Sequence, residues 1–360
     1  MADYSATVMG GVIAKMNDLF DTSSTVQMAP PIPSVTAVAG KQSVRFQNLD
    51  ALASGCRGVD VIHFEDDCTA VATDCIATPA TDCTLTGGAH DSVLNHLADN
   101  LCYSAEFTVD QNFCGNEFTV EDARAHGLGR AIAKIEAALN IGILAKIDGF
   151  PPMTPAAGTF LDATLVNTYQ VLLQSWAAAD TPVTDMTIIS ENNNLQNFYL
   201  LSGNLLYSDY LNALNSNAAC CDPNALSMTV GPVDIFFDTR DLDATLATTA
   251  GDQAVLSIDP SSTIFWNHYD FASTPTSWGD SNATTVWRVQ SPRLTYANGG
   301  VQVPVWYDVL MQTTCGVTGG KLHPVETYKV SFKGGFHETP TTCAVDPGAK
   351  IIHFTNDIGV

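Results

Sequence analysis

The densest run of side chains able to ligate a metal or move a proton is His63, Glu65, Asp66, Asp67 and Cys68. A calcium loop needs acids at alternating positions around a central glycine, and this run has neither. A solvated loop, or a charged contact to another molecule, fits it better. Asp238, Asp241 and Asp243 are spaced for a loop cation, yet they follow the strand-like PVDIFFD, where acids commonly end a strand. His268, within Trp266-Asn-His-Tyr-Asp270, could pair with Asp270 as a base, although an aromatic β-segment more often packs such a histidine. His90 and His96, six apart around Asp91, have a poor spacing for a metal. There is no G-x-S-x-G elbow, phosphate loop, H-E-x-x-H or dinucleotide fingerprint. Neither catalysis, nor a cofactor, nor a metal is expected.

The ten cysteines (56, 68, 75, 83, 102, 114, 220, 221, 315 and 343) contain no C-x-x-C pair and no zinc-ribbon spacing. Two readings stay open. They are buried free thiols, or they close as disulfides after release into an oxidising medium. Asn282-Ala-Thr284 matches a glycosylation acceptor, which would be idle without secretion.

Acids outnumber bases 38 to 15, for a formal net charge of −23. Nucleic-acid and anionic-lipid binding need basic clusters, and the bases here are scattered. A surface poor in lysine and rich in Thr, Ser and Asn suits one consumed by contacts with other subunits. The opening MADYSATVMGG carries no basic leader, and no segment has the roughly 18 apolar residues of a membrane span. Synthesis and retention in the cytosol are expected, unless a separate apparatus exports the chain.

The element that must position the rest is a helix read from Thr119 to Gly149. Thr119 is its N-cap, Glu121 and Asp122 sit in its first turn, and Asp148-Gly149 stops it. Leu128, Ile132, Ile135, Leu139, Ile143 and Ile147 draw its apolar stripe, leaving Arg124, Arg130, Lys134 and Glu136 for a polar face. Gly127, Gly129 and Gly142 weaken its interior, so neighbours must support it. Ahead of it, Val8, Val12, Met16 and Phe20 mark a short amphipathic helix. Residues 21–41 lose periodicity and read as an extended arm suited to lying along a neighbour. VDVIHF (59–64) and LCYSAEFTVDQNF (101–113) read as strands. Beyond the long helix, 160–178 reads as helix, 185–190 as strand and 191–214 as largely helix. From Met228 onward the pattern is mostly strand, including TIFWNHYDF, TTVWRVQS, VQVPVWYDVLMQT, TYKVSFKGGF and KIIHF.

This order of elements, with phrases such as NIGILAKIDG and VSFKGGF, resembles the major capsid protein of tailed double-stranded DNA phages, the Hong Kong 97 type. The segment around HFEDDC and the run YKVSFKGGF are similar to capsid proteins of phages infecting Bacteroidetes-type hosts. The resemblance implies an α+β fold: an N-terminal arm (1–41), an extended β-loop (42–100) and a peripheral domain with a spine helix (101–154). An axial domain (155–285), return strands of the peripheral domain (286–345) and a final axial strand (346–360) follow. It implies a non-enzymatic shell subunit, made in the host cytoplasm and ending in the virion. It would assemble as hexamers and pentamers around DNA held without sequence-specific contacts. A separate scaffolding protein, a portal, and decoration or head-fibre proteins would be its partners, with no membrane. Arg45, Arg57, Glu65, Asp66 and Asp67, on the loop, are the expected inter-subunit contacts. An encapsulin-like protein-storing compartment uses the same fold and is the first alternative. A secreted β-rich adhesin and a hydrolase are more distant ones.

Overall fold

The computed structural model describes residues 6–20, 32–42, 44–46, 58–65, 91–110, 119–149, 198–202, 227–230, 233–238, 241–242, 245, 253–258, 263–273, 276–278, 284–318, 321–339 and 351–356. The expected helix at 160–178 and strand at 185–190 lie outside them.

The architecture is α+β. Helix α1 spans Ala6–Phe20, α2 Pro33–Lys41 and α3 Val120–Asp148. A two-stranded antiparallel hairpin joins β1 (Val59–Glu65) and β2 (Asp91–Leu97). The larger sheet runs in the order β3-β12-β11-β10-β9, with β3 at Leu101–Asp110 and β9 at Thr276–Trp278. Its long members are β10 (Thr284–Asn298), β11 (Val301–Thr318) and β12 (Lys321–Glu338). Strand β8 (Thr263–His268) pairs with the end of β12, so β8 and β9 belong to this sheet although they precede residue 286. The second sheet runs β13-β7-β4-β6-β5, from Ile351–Asn356, Gln253–Ile258, Phe198–Ser202, Val233–Asp238 and Ser227–Val230.

Local chemistry explains the long elements. The Thr119 hydroxyl accepts the Asp122 backbone N–H at 3.2 Å, and the Asp122 carboxylate accepts that of Thr119 at 2.8 Å. This reciprocal cap satisfies donors that the helix leaves open at its start. The stripe from Leu128 to Ile147 is buried as expected. Two of the helix glycines have a packing reason. Phe107 and Tyr103, on the inward face of β3, press against α3 where Gly127 and Gly142 lack a side chain. The β10–β11 turn is Gly299-Gly300, with φ of 57° and 85°, the left-handed pair a two-residue hairpin requires.

Three expectations are corrected. Residues 33–41 are not an extended arm. Pro33 starts a helix whose small residues, including Ser34, Val35, Ala37, Val38 and Ala39, are buried in the chain's own core. Helix α1 likewise buries Met9, Val12 and Met16 at home and packs on α3. The polar face foreseen for α3 is half wrong: Arg130 and Lys134 are exposed, but Arg124 and Glu136 are buried. Lastly, 198–202 is strand, in the middle of its sheet, a state that the short unbroken apolar run Phe198–Leu201 allows as well as helix.

Candidate assembly surface

The β1–β2 hairpin is a two-stranded sheet of its own, separate from the two larger sheets. Its sequence is apolar at both parities: Val59 and Val61 alternate with Ile62, and Val93 and Leu97 with Leu94. Alternate residues of a strand face opposite sides, so such a ribbon needs cover on both. The body supplies one side, with Val59 buried and Val61 and Leu97 packed on the core. Ile62 and Leu94 are direct cross-strand partners on the other side, and they remain 66% and 63% exposed. Beside them His96 Nδ1 lies 2.7 Å from the Asp60 carboxylate, an exposed pair on the same face.

The base of the hairpin is held firmly. Asn100 donates to the Phe336 carbonyl at 2.8 Å and accepts the Phe336 N–H at 2.9 Å. Its own N–H donates to the Gly334 carbonyl. The Trp266 indole N–H donates to Asp99 at 2.9 Å, and the His268 ring lies 2.9 Å from the same carboxylate. His268 therefore faces Asp99, while Asp270 pairs with Lys333. His268 is thus the buried, packed histidine that the aromatic segment favoured, and Asp270 lies in an exposed ion pair apart from it.

The other expected residues scatter. Arg45 is exposed, its stem lying over Gly299 at the β10–β11 turn, where Phe46 and Asn298 exchange two hydrogen bonds. Glu65 ends β1 opposite Asp91, at the end of the hairpin away from its base. Arg57, Asp66 and Asp67 lie outside the described residues. Asp238 and Asp241 do not frame a loop cation. Asp238 accepts from Ser34 Oγ at 2.6 Å and from the Asn140 amide at 3.0 Å, and Asp241 accepts from the same amide at 2.8 Å. Asp243 lies outside the described residues. No group of three or more His, Cys, Asp or Glu side chains shapes a metal site among the described residues. Cys102 and Cys315 are free and exposed; the other cysteines lie outside the described residues.

A cavity of about 690 Å³ opens between α1, β3 and the start of α3. Lys15, Asp18, Thr108, Asp110, Asp122 and His126 are its polar lining, and Lys15 is already bound to Asp122 at 2.6 Å. Sequence reasoning missed Ile62 and Leu94, although the double-parity apolar pattern could have flagged them.

No protein-family model matches the chain, and no curated protein does either. Solved structures similar to it are phage structures, several of them described as capsids. One is from Microbacterium phage Oxtober96, at 12% identity and a TM-score of 0.45, covering 98% of this chain and 99% of that one. Another is the capsid structure of the Cyanophage P-SCSP1u, at 11% identity and a TM-score of 0.44, covering 94% and 93%. The capsid of Ralstonia phage GP4 matches at 11% identity and a TM-score of 0.43, covering 93% and 95%.

Proposed function

We propose that this chain is the structural subunit of a phage head shell, assembling as hexamers and pentamers into an icosahedron around double-stranded DNA. The observation that carries the reading is the hairpin: a ribbon apolar at both parities, with Ile62 and Leu94 left exposed among the described residues. Covering both side chains by a neighbour would contribute about 2–4 kcal/mol per contact, multiplied over every subunit of a closed shell. The order of elements expected from the resemblance supports the same reading. An amphipathic helix comes first, then a short second helix, a two-stranded hairpin, a long helix lying on a β-sheet, and a second sheet. The Hong Kong 97 type of fold, with the peripheral and axial division stated above, is part of the proposal.

Arg45, Arg57, Glu65, Asp66 and Asp67 are assigned to inter-subunit contacts on this reading, and no residue to catalysis. Exposed ion pairs contribute little singly, so Arg57→Ala should slow or misdirect assembly without unfolding the subunit. A separate scaffolding protein, a portal, and decoration or head-fibre proteins complete the proposed set of partners, and the virion is the proposed location.

Negative-stain microscopy of the purified protein is the test. Closed shells support the proposal, and shells that retain DNA distinguish it from a protein-storing compartment. A protein that stays monomeric at high concentration with scaffold present refutes it. Ile62→Asp with Leu94→Asp should abolish shells while leaving the subunit's melting temperature unchanged.

A further inference from the structure

Six cations of the described residues, Lys15, Lys41, Arg124, Arg293, Lys329 and Lys333, pair with acids of their own chain. Arg288 does not. It stands on β10 directly across from Asp308 of β11. Yet the Asp308 carboxylate turns to the backbone N–H groups of Asp270 and Phe271, at 2.9 and 3.2 Å. Those two bonds pin the segment after β8 across the outer side of the sheet, and so fix Tyr269. The guanidinium carbon of Arg288 lies 3.9 Å from the centre of the Tyr269 ring and 4.5 Å from that of Trp306. The two rings form a wedge with an interplanar angle of 57°. Arg288 Nε is buried with no hydrogen-bond partner, so the rings rather than an acid hold the group. The residue is only partly buried, and its side-chain contacts among the described residues are those with the two rings.

A guanidinium held this way has lost its rotational freedom before any partner arrives. Its planar edge matches a carboxylate or a phosphate, and preorganisation removes much of the entropy cost of docking. The chain itself indicates which. Copies carrying a net charge of −23 repel one another unless their acids meet the few available cations. We infer that Arg288, in its Tyr269–Trp306 wedge, is a docking site for an aspartate or glutamate of a second copy of this chain. The inference rests on the shell reading, and it names a contact that the expected loop residues do not include.

The test is arginine modification by phenylglyoxal, read at residue 288 by mass spectrometry, on unassembled subunits, on DNA-free shells and on DNA-filled shells of the wild-type protein. Arg288 should react in the subunit and be protected about tenfold in DNA-free shells, equivalent to roughly 1.4 kcal/mol. Protection seen only in DNA-filled shells would assign the site to phosphate and overturn the inference. Shells in which Arg288 stays fully reactive overturn it too, while leaving the shell reading intact. If no shells form at all, the shell reading fails and this inference with it. In parallel, Arg288→Lys keeps the charge but loses the planar fork. It should lower shell yield severalfold at moderate salt with little change in the subunit's melting temperature. An unchanged yield would count against the site.

Discussion

Removing Arg124 should expose how much α3 depends on a buried charge. Its side chain is 6% exposed and that of its partner Glu326 is fully buried. Arg124 donates through Nε at 2.8 Å and through Nη2 at 2.6 Å to the two carboxylate oxygens, and the Tyr328 hydroxyl donates to Glu326 at 2.7 Å. Arg124→Met keeps much of the aliphatic volume and strands a carboxylate in the core, which costs about 3–5 kcal/mol. At about 2.1 cal/mol/K of unfolding entropy per residue, a 360-residue chain loses roughly 1.3 °C for each kcal/mol. The expected drop is therefore about 4–7 °C in a thermal melt of the unassembled subunit. Adding Glu326→Gln removes the stranded charge while leaving an acceptor for Tyr328, so the double variant should recover about half of the loss. If Arg124→Met costs less than about 1 kcal/mol, or if the double variant costs the sum of the two singles, the pair is not the buried, coupled unit inferred here.

The remaining predictions concern caps, pH and glycines. Thr119→Ala should cost about 1 kcal/mol by opening the α3 cap, measurable as a shifted urea midpoint. The hydrogen bond from Lys15, then those from Thr119, hold the Asp122 carboxyl well below the usual carboxylate range. A depressed folded value means this contribution is present above the ordinary value of 3.8 and is lost as pH falls through the folded one. The stability gap between wild type and Asp122→Asn should thus narrow on acidification, and a constant gap would contradict the cause. Asp308 has the opposite sign. Burial first, opposed by the N–H groups of Asp270 and Phe271, raises its carboxyl. Its contribution is full below the ordinary value and is lost as pH rises through the folded one, so Asp308→Asn should gain on the wild type from acid to neutral pH. Gly142→Ala should lose about 1–2 kcal/mol, because the new methyl meets the Tyr103 hydroxyl and overpacking outweighs helix propensity. Gly10→Ala on α1 meets nothing and should gain about 0.5–1 kcal/mol, which a pair of melts will decide.

What the sequence made legible was local. The Thr119–Asp122 cap, the stripe of α3, the strand β1 and the alternation in β3 are each encoded within a few residues, and each stands where expected. Helix α2 was hidden because nine residues of mostly small side chains carry no strong period. Strand β4 was taken for helix because an unbroken apolar run of four fits both, and only its neighbours β6 and β7 decide between them. Arg124 and Glu136 looked solvated because their partners are remote in sequence. Glu326 is 202 positions from Arg124, and Ser291, Arg293 and Tyr307 are 155, 157 and 171 from Glu136. A charge is affordable in a core only where such partners converge, and spacing along one helix cannot show that. The uncovered Ile62–Leu94 pair was legible as parity but not as exposure, since the sequence does not say which face the body covers.

Those remote partners also explain why α3 can hold two sheets in one arrangement. An apolar stripe packs well in more than one register, because a shift of a turn brings similar side chains to similar holes. Directional polar contacts do not tolerate that shift. Arg124 is tied to β12. Twelve residues on, Glu136 accepts from Ser291 at 2.6 Å, Arg293 at 2.5 Å and Tyr307 at 3.1 Å, on β10 and β11. One turn further, Asn140 donates to Asp238 at the end of β6 and accepts the Val35 N–H at 2.9 Å, closing the start of α2. From Arg124 to Asn140 the ties span about 24 Å of helix, enough to fix both rotation and translation. The strand β12 that receives the first tie also clamps Asn100 at the root of the hairpin. The root of the hairpin that carries Ile62 and Leu94 is therefore tied to the same strand as the helix. On the proposed shell reading that geometry must repeat in every copy, and buried polar ties provide the repeat where hydrophobic packing alone would leave a choice.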